Sequence, residues 1–485
     1  MGIEMKKYNI ICKENVYFIF YSIITTLLIG FGHFFCNINR FITSIALIVV
    51  AAVLYLCIVF TISKKNWLDI RAIFHAVWVF TIGLSAFQLT DYQEKWQIKT
   101  WYCLALAYFM FQIGAHSGIV FGDLLLKKIK NIGNKLNIGK IRFELKENRY
   151  FTICVVTTLI GLVCFLINVT IRGYIPCFSN NPAAYVEFYT KFHIFAVAAT
   201  GVSGFCYYCI ATQKLSKIKK IILLFCILYV TFMFPILVVS RGTFIASALS
   251  LTVTVFYLHK KKFWVLVTCL TLILGIYFGA SLLRNYTDAQ LEFFFEPSEI
   301  DLDFEDPSND EFEDSTDDGT NKTFSLHPKI AFIYSYLTVS HDNFNEAVQN
   351  SSEYTYGIRQ FEPFNTIFRI NWVEEQLEGA EYYLVRPHLN TVNLVGLFYY
   401  DFHEWGVAIF MLLWSFIFGI LQKITELSKT PFVLLALGNA MVPVALCFFA
   451  AWMSVFSQWM LWGVVLIFAV ASTIKIDSNK KLKNN

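Results

Sequence analysis

The chain has 485 residues, 56% hydrophobic and only 15% charged, with a formal net charge of +4 and a mean hydropathy of +0.55. Soluble globular domains carry roughly a quarter charged residues, so the composition excludes that class and requires an integral membrane protein. The small positive excess sits in short segments between apolar runs, which also excludes a nucleic-acid recognition patch.

A helix needs ~20 apolar residues to cross a ~30 Å hydrocarbon core. Runs of that kind fall at 16–32, 41–62, 70–90, 101–121, 150–171, 193–212, 220–239, 243–258, 263–283, 405–421, 431–452 and 455–474. They predict an all-α polytopic membrane protein with about 12 transmembrane helices and both termini on one side. With the N-terminus inside, 27 of the 39 basic residues lie in inner segments, six of the remaining 12 lie in one long loop, and the termini are expected to be cytoplasmic. Lys6, Lys7 and Lys13 precede the first run, but Phe34, Phe35 and Cys36 follow it in place of a small-residue cleavage site, so this run reads as a retained helix. Ten of the twelve cysteines lie in or beside spans or in the inner N-terminal segment. Only Cys36 and Cys177 fall outside, which gives no disulfide framework, and the Cys206/Cys209 pair reads as small core residues rather than metal ligands.

The expected organisation is a bundle of about nine helices over 1–283, a large extracytoplasmic loop over 284–390, a re-entrant segment with about three helices over 391–474, and a cytoplasmic tail over 475–485. The loop opens on an acidic insert, 288–318, with 14 acidic residues and no basic one. Such a block repels itself and reads as a solvated insert rather than a calcium loop, whose ordered glycine and terminal glutamate are missing. The second half, with IAFIYSYLTVSHDNFNEAV and FNTIFRINWVEEQL, has helical spacing and is expected to lie along the membrane surface or to cover the spans like a lid.

Arginines stand where outer turns begin or end: Arg172, Arg241, Arg284 and Arg386. An arginine at a membrane boundary snorkels or meets an anion, and its planar fork suits the oxygens of a diphosphate. Snorkelling is the simpler account of any one of them, except that SRG forms nearly the whole turn around Arg241. Residues 390–400 are too short to cross and are followed at once by Asp401, His403 and Glu404, with His388 just before. A half-inserted segment is tolerated only where it lines protein or a wet cavity. Titratable groups beside it are candidates for acid/base work, and for Asp401 a helix N-cap role stays equally open. His75 and His116, within spans, read as core histidines.

Three stretches, GYIPCFS, SRGTFIASALS and NTVNLVGLFYYDFHEWGVAIF, make the chain resemble the oligosaccharide repeat-unit polymerases of bacterial O-antigen and capsule assembly. The family has a glycine and an Ile-Pro pair at the first, an arginine and glycine opening a span at the second, and a tyrosine with Asp-Phe-Gly at the third. His403 stands where the family has that glycine, and AYVEFY follows the first stretch where an arginine is often found. The resemblance implies a GT-C-like glycosyltransferase fold in the bacterial cytoplasmic membrane. It also implies a donor glycan on undecaprenyl diphosphate, no cofactor or metal, and a chain-length regulator and flippase of the same pathway as partners besides membrane lipid. On that basis Arg172, Arg241, Arg284 and Arg386 are expected at the diphosphate, His388, Asp401, His403 or Glu404 at the acceptor hydroxyl, and Tyr382, Tyr383, Tyr399 and Tyr400 against sugar rings. A polysaccharide ligase uses the same parts. A flippase predicts related halves and charges in mid-span, neither of which is evident, and a sensor or scaffold would use the acidic insert.

Overall fold

The computed structural model describes residues 2–90, 92–135, 147–179, 184–259, 263–264, 266–269, 271, 328–368, 370–377, 382–387, 389–428 and 430–473. Arg284, His388, the acidic insert 288–318, the tail 475–485 and most of the expected ninth span, 263–283, lie outside these residues. The described chain is helical and contains no strand. In order come α1 (Gly2–Gly30), α2 (Gly32–Cys57, continued by a π-helical turn, Ile58–Ile62), α3 (Ile70–Ser85), α4 (Ile98–Lys135), α5 (Glu147–Arg172), α6 (Ala184–Glu187), α7 (Lys191–Ala199), α8 (Ser203–Thr212), α9 (Lys217–Leu228), α10 (Phe234–Leu237) and α11 (Arg241–Leu258). They are followed by α12 (Pro328–Asn350), α13 (Ile358–Phe368), α14 (Asn371–Leu377), α15 (Leu394–Ser428), α16 (Pro431–Ala445) and α17 (Phe456–Thr473).

Seven helical stretches, 32–62, 98–128, 149–172, 191–212, 217–237, 241–258 and 394–428, are long and apolar enough to cross a membrane. Four shorter apolar helices, 15–30, 70–85, 431–445 and 456–469, coincide with the expected first, third, eleventh and twelfth spans. Among the long stretches, α2, α5 and α9 carry exposed apolar side chains such as Ile45, Leu159 and Phe225.

Gly114 and Gly118 of α4, four residues apart, and Gly419 of α15 decide the centre of the bundle. A Cβ on Gly114 would collide with Ser415 Oγ and the Leu412 carbonyl, one on Gly118 with the Phe416 carbonyl, and one on Gly419 with the Ala115 carbonyl. α4 and α15 therefore touch backbone to backbone, the arrangement that small residues at this spacing permit in a membrane. On the other flank Gly438 of α16 sits 2.8 Å, measured to a built Cβ, from the Ser250 Cα of α11. The core between them is aromatic: Phe74 of α3 stacks on Phe111 of α4 at 3.7 Å and on Trp78 at 5.5 Å.

Charge is confined to the two ends of this core. At one end Asp69 caps α3 by accepting from Arg71 N at 2.9 Å, pairs with the Arg71 guanidinium at 2.7 Å, and takes further bonds from Ser63 at 2.7 Å and Gln422 at 3.1 Å. Asn66 ties the same loop to Glu426 and Tyr257. His116 closes the group, its Nδ1 3.0 Å from Arg71 and its ring stacked 4.4 Å from Phe18. His75 is buried, with Nδ1 2.8 Å from the Tyr108 hydroxyl. The cysteines behave as small core residues: Cys154, Cys206 and Cys209 are buried together, and Cys36 and Cys177 are both free.

Replacing Gly118 by Ile must push α4 off α15, and overpacking of this kind costs ~1–3 kcal/mol or more. A Gly118→Ile variant is expected to melt at a clearly lower temperature in detergent. Gly463→Ala, at a glycine with nothing within 4 Å of a built Cβ, should leave the melting temperature unchanged.

Candidate functional site

The opposite end of the bundle is organised by α12, which falls in the segment expected to be a surface lid. It packs on α3 and α15, and the face that docks there is polar. Ser340, His341, Asp342, Asn343 and Asn345 are each no more than 2% exposed. Apolar residues Ile330 and Ile333 point outward instead. The polar face stays buried because each member meets a partner from a distant segment, and a buried polar group without one is costly.

Asp342 accepts from Gln93 at 2.9 Å and from the Trp96 indole at 2.8 Å. Asn345 accepts from Gln97 N at 2.9 Å and the Thr100 hydroxyl at 2.7 Å. Asn343 donates to the Leu389 and Thr391 carbonyls at 2.6 and 2.8 Å and accepts from Val385 N at 2.9 Å. His341 Nδ1 accepts from Asn393 at 3.2 Å. Its Nε2 lies 3.0 Å from a Thr81 hydroxyl that itself donates to Val77, so the ring is the neutral Nε2–H tautomer. Burial pushes the Asp342 carboxyl up to about 7 against the lowering effect of its two donors, and the charge of Glu346 adds to the rise.

Of the predicted arginines, Arg241 reaches this helix directly, and Arg386 lies beside Tyr92, which bonds to it. Arg241 is the first residue of α11, which Ser240 caps through Thr243 N at 3.4 Å. Its guanidinium donates to the Tyr336 hydroxyl at 2.8 Å and lies 4.5 Å over that ring and 5.9 Å from the Phe332 ring. Tyr336 in turn stacks on Phe449 at 5.6 Å, and Trp452 crowds Gly242. Arg386 lies 5.8 Å from the ring of Tyr92, whose hydroxyl donates to Ser335 at 2.7 Å. Arg172 is exposed and donates to the Tyr189 carbonyl at 2.8 Å. A further arginine escaped the sequence reading: Arg359, 2% exposed, lies 4.0 Å from the Tyr382 ring and 4.6 Å from the Tyr400 ring. It stands one residue inside α13 rather than at a span boundary, so boundary charge gave no signal.

α15 begins with the segment read from the sequence as half-inserted, which here is the first part of a long kinked helix. Residues 394–401 are buried throughout, and the helix breaks at Phe402 (φ −147°, ψ 25°) and His403 (φ 47°, ψ −133°). Gly406 makes the break possible, because a Cβ there would collide with the Phe398 carbonyl. The Asp401 carboxylate is fully engaged by the start of α13: it accepts from the Thr355 hydroxyl at 2.6 Å, Gly357 N at 3.1 Å, Arg359 N at 3.3 Å and Gln360 at 3.1 Å. It acts as an N-cap for another helix, one that precedes it by some forty residues.

His403 has no such commitments. Its ring stacks on Tyr399 at 4.7 Å and lies 4.3 Å from Tyr354, yet its Nε2 is buried without a hydrogen-bond partner among the described residues, as is the Tyr399 hydroxyl. Beside them Lys99 pairs with Glu404 at 2.8 Å and lies 5.3 Å over the Tyr399 ring. Tyr399 also meets Phe344 of α12 edge-on at 5.6 Å. The helix that holds the arginines therefore touches the one that holds His403. Chemically the end offers guanidinium groups fixed by aromatic rings, where an anion can be held, and one imidazole nitrogen able to take a proton.

Two expectations follow. Because the folded-state pKa of Asp342 lies above the ordinary carboxylate value of about 4, its contribution to stability is complete below that pH and is lost as pH rises through about 7. The melting temperature should fall over that window, and Asp342→Asn should flatten the dependence. A non-glycine residue at the φ/ψ of His403 costs ~1–3 kcal/mol, so His403→Gly should melt at or above the wild-type temperature while His403→Ala, still strained, should not. Comparison with family models, with curated proteins and with solved structures finds no match to this chain.

Proposed function

We propose that the protein is a glycosyltransferase of the bacterial cytoplasmic membrane that polymerises oligosaccharide repeat units carried on undecaprenyl diphosphate, with α12 and the α15 break on the extracytoplasmic side. The observation that carries this reading is the break itself: a strained, glycine-like conformation at His403 that leaves a buried imidazole nitrogen unengaged. Strain of this kind persists where the surroundings over-determine it, and it gathers at working sites.

In this account Arg241, bonded to Tyr336, and Arg386, beside Tyr92, hold the diphosphate of the donor lipid. As the bond from the anomeric carbon to the diphosphate breaks, negative charge grows on the departing oxygens, and preformed cations there lower the barrier. The acceptor hydroxyl forms the new bond to that carbon and gives its proton to His403 Nε2. Asp401 is a positioning residue: its four bonds fix the turn that leads into Arg359 and hold the segment from which His403 projects. The Lys99–Glu404 pair sets the local charge. Tyr354, Tyr382 and Tyr383 supply faces for sugar rings.

The test is the purified protein in lipid, supplied with an undecaprenyl-diphosphate-linked repeat unit and analysed for a ladder of longer glycans. Loss of a charge-assisted contact of ~1.5–3 kcal/mol predicts a rate lower by about tenfold to a hundredfold for Arg241→Ala. His403→Gly should lose the ladder while keeping its melting temperature. A ladder of normal length from a folded Arg241→Ala or His403→Gly protein would sink the assignment. Transfer only to an added acceptor lipid would identify a ligase, and movement of the lipid without bond formation a flippase.

A further inference from the structure

A second polar site lies at the same end of the bundle, against Trp96, whose indole also donates to Asp342. An open pocket of about 220 Å³ is lined by His33, Asn37 and Arg40 of α2, by Lys95 and Trp96 of the connection before α4, and by Trp101 of α4. At ~30 Å³ per water of liquid that is the space of about seven waters, enough for a phosphate group. Gly32 lets the buried Trp101 ring come up against α2, and Trp96 packs 5.0 Å from it, so the floor is rigid and aromatic.

The sequence builds this pocket by breaking α2. Asn39 is non-helical (φ −159°, ψ 103°), and its side chain accepts from Ile42 N at 3.0 Å, capping the segment that follows. Residues 32–38 become a separate short stretch and Arg40 becomes the first residue of a long apolar helix. His33 Nδ1 lies 3.0 Å from the Trp96 carbonyl, which only accepts, so that nitrogen carries a proton and the ring is oriented. Arg40 and Lys95 form no ion pair among the described residues, and the Lys95 charge is felt at Cys36, inside the lining. Two cations, an imidazole and two amides, those of Asn37 and Gln88, thus converge on a space lined by no carboxylate among the described residues. That donor set fits a phosphate group, whose several oxygens accept from a guanidinium fork and an ammonium together.

What lies beside the pocket narrows the ligand further. Along α2, Phe34, Ile38, Phe41, Ile42, Ile45 and Val49 are all exposed. They form an apolar ridge that starts at the pocket and runs down the helix. We propose that the pocket binds the phosphate of a net-anionic membrane-lipid headgroup, one without a choline cation beside it, and that the lipid's tail lies along this ridge. Arg40 then meets the phosphate instead of reaching for water, and the contact anchors the start of α2 at the membrane boundary. The proposal stands independently of glycan polymerisation.

The experiment is native mass spectrometry of the full chain released from phosphatidylcholine nanodiscs doped with phosphatidylglycerol or with undecaprenyl diphosphate. Wild-type protein is expected to retain a doped lipid over phosphatidylcholine, whichever source the phosphate comes from. The Arg40→Gln/Lys95→Gln variant should retain about tenfold less, and Arg40→Lys an intermediate amount. Lys127→Gln, which removes one charge at the other end of the bundle from a pair with Asp123, should behave as wild type. Equal retention of phosphatidylglycerol by wild type and a double variant of unchanged melting temperature would overturn the proposal, as would no preference for it over phosphatidylcholine. Inorganic pyrophosphate that binds detergent-solubilised wild type while no lipid is retained would overturn the lipid as its source.

Discussion

Everything at the working end of this protein depends on the burial of the polar face of α12. A helix carrying Ser-His-Asp-Asn-Phe-Asn can sit within a membrane bundle only if its side chains find partners, and they come from α3, from residues 92–100 and from residues 385–393. The same contacts that satisfy the helix hold those segments in place. Arg241 and Arg386 are fixed by bonds and ring contacts around Ser335 and Tyr336, and His403 is reached through Phe344 and Tyr399. Loss of one buried partner leaves another unsatisfied at ~1–3 kcal/mol, so the network resists partial opening and the site stays shaped without ligand.

Beneath this lies a second constraint, the glycine-mediated contact of α4 with α15. Backbone contact along Gly114, Gly118 and Gly419 fixes α15 over much of its length. The first eight residues of α15, 394–401, are buried in protein and cannot move with lipid. The deviation from helix is therefore concentrated at Phe402 and His403, where Gly406 gives the space for it. Asp401 then joins the broken helix to α13.

Much of this was legible in the sequence because hydropathy and length are local signals. Apart from the ninth, most of which lies outside the described residues, the apolar runs recur as helices, the second begins where Asn39 breaks α2, and an interruption near Asp401 was visible from the shortness of the run before it and the charges that follow. The docking of α12 was not legible, since the partners that make its polar face tolerable lie about 250 residues away at Gln93, Trp96 and Thr100. A reader of the isolated segment sees aromatic and apolar residues and turns those inward, whereas Ile330 and Ile333 face out. Arg359 was missed because its aromatic neighbours, Tyr382 and Tyr400, come from other elements. For Asp401 the residues alone left both acid/base work and capping open, and its bonds belong to a cap. The positive φ at His403 places a histidine in a backbone conformation that favours glycine, which the residue type alone did not signal.

The most direct measurement of this account is hydrogen–deuterium exchange, followed by mass spectrometry, on the protein in lipid nanodiscs, read over residues 335–345. A helix locked into the bundle by its polar face predicts protection over that stretch comparable with that of α4, persisting for hours. Exchange within seconds, as in a solvated loop resting on the membrane surface, would contradict it and remove the frame on which the site is built.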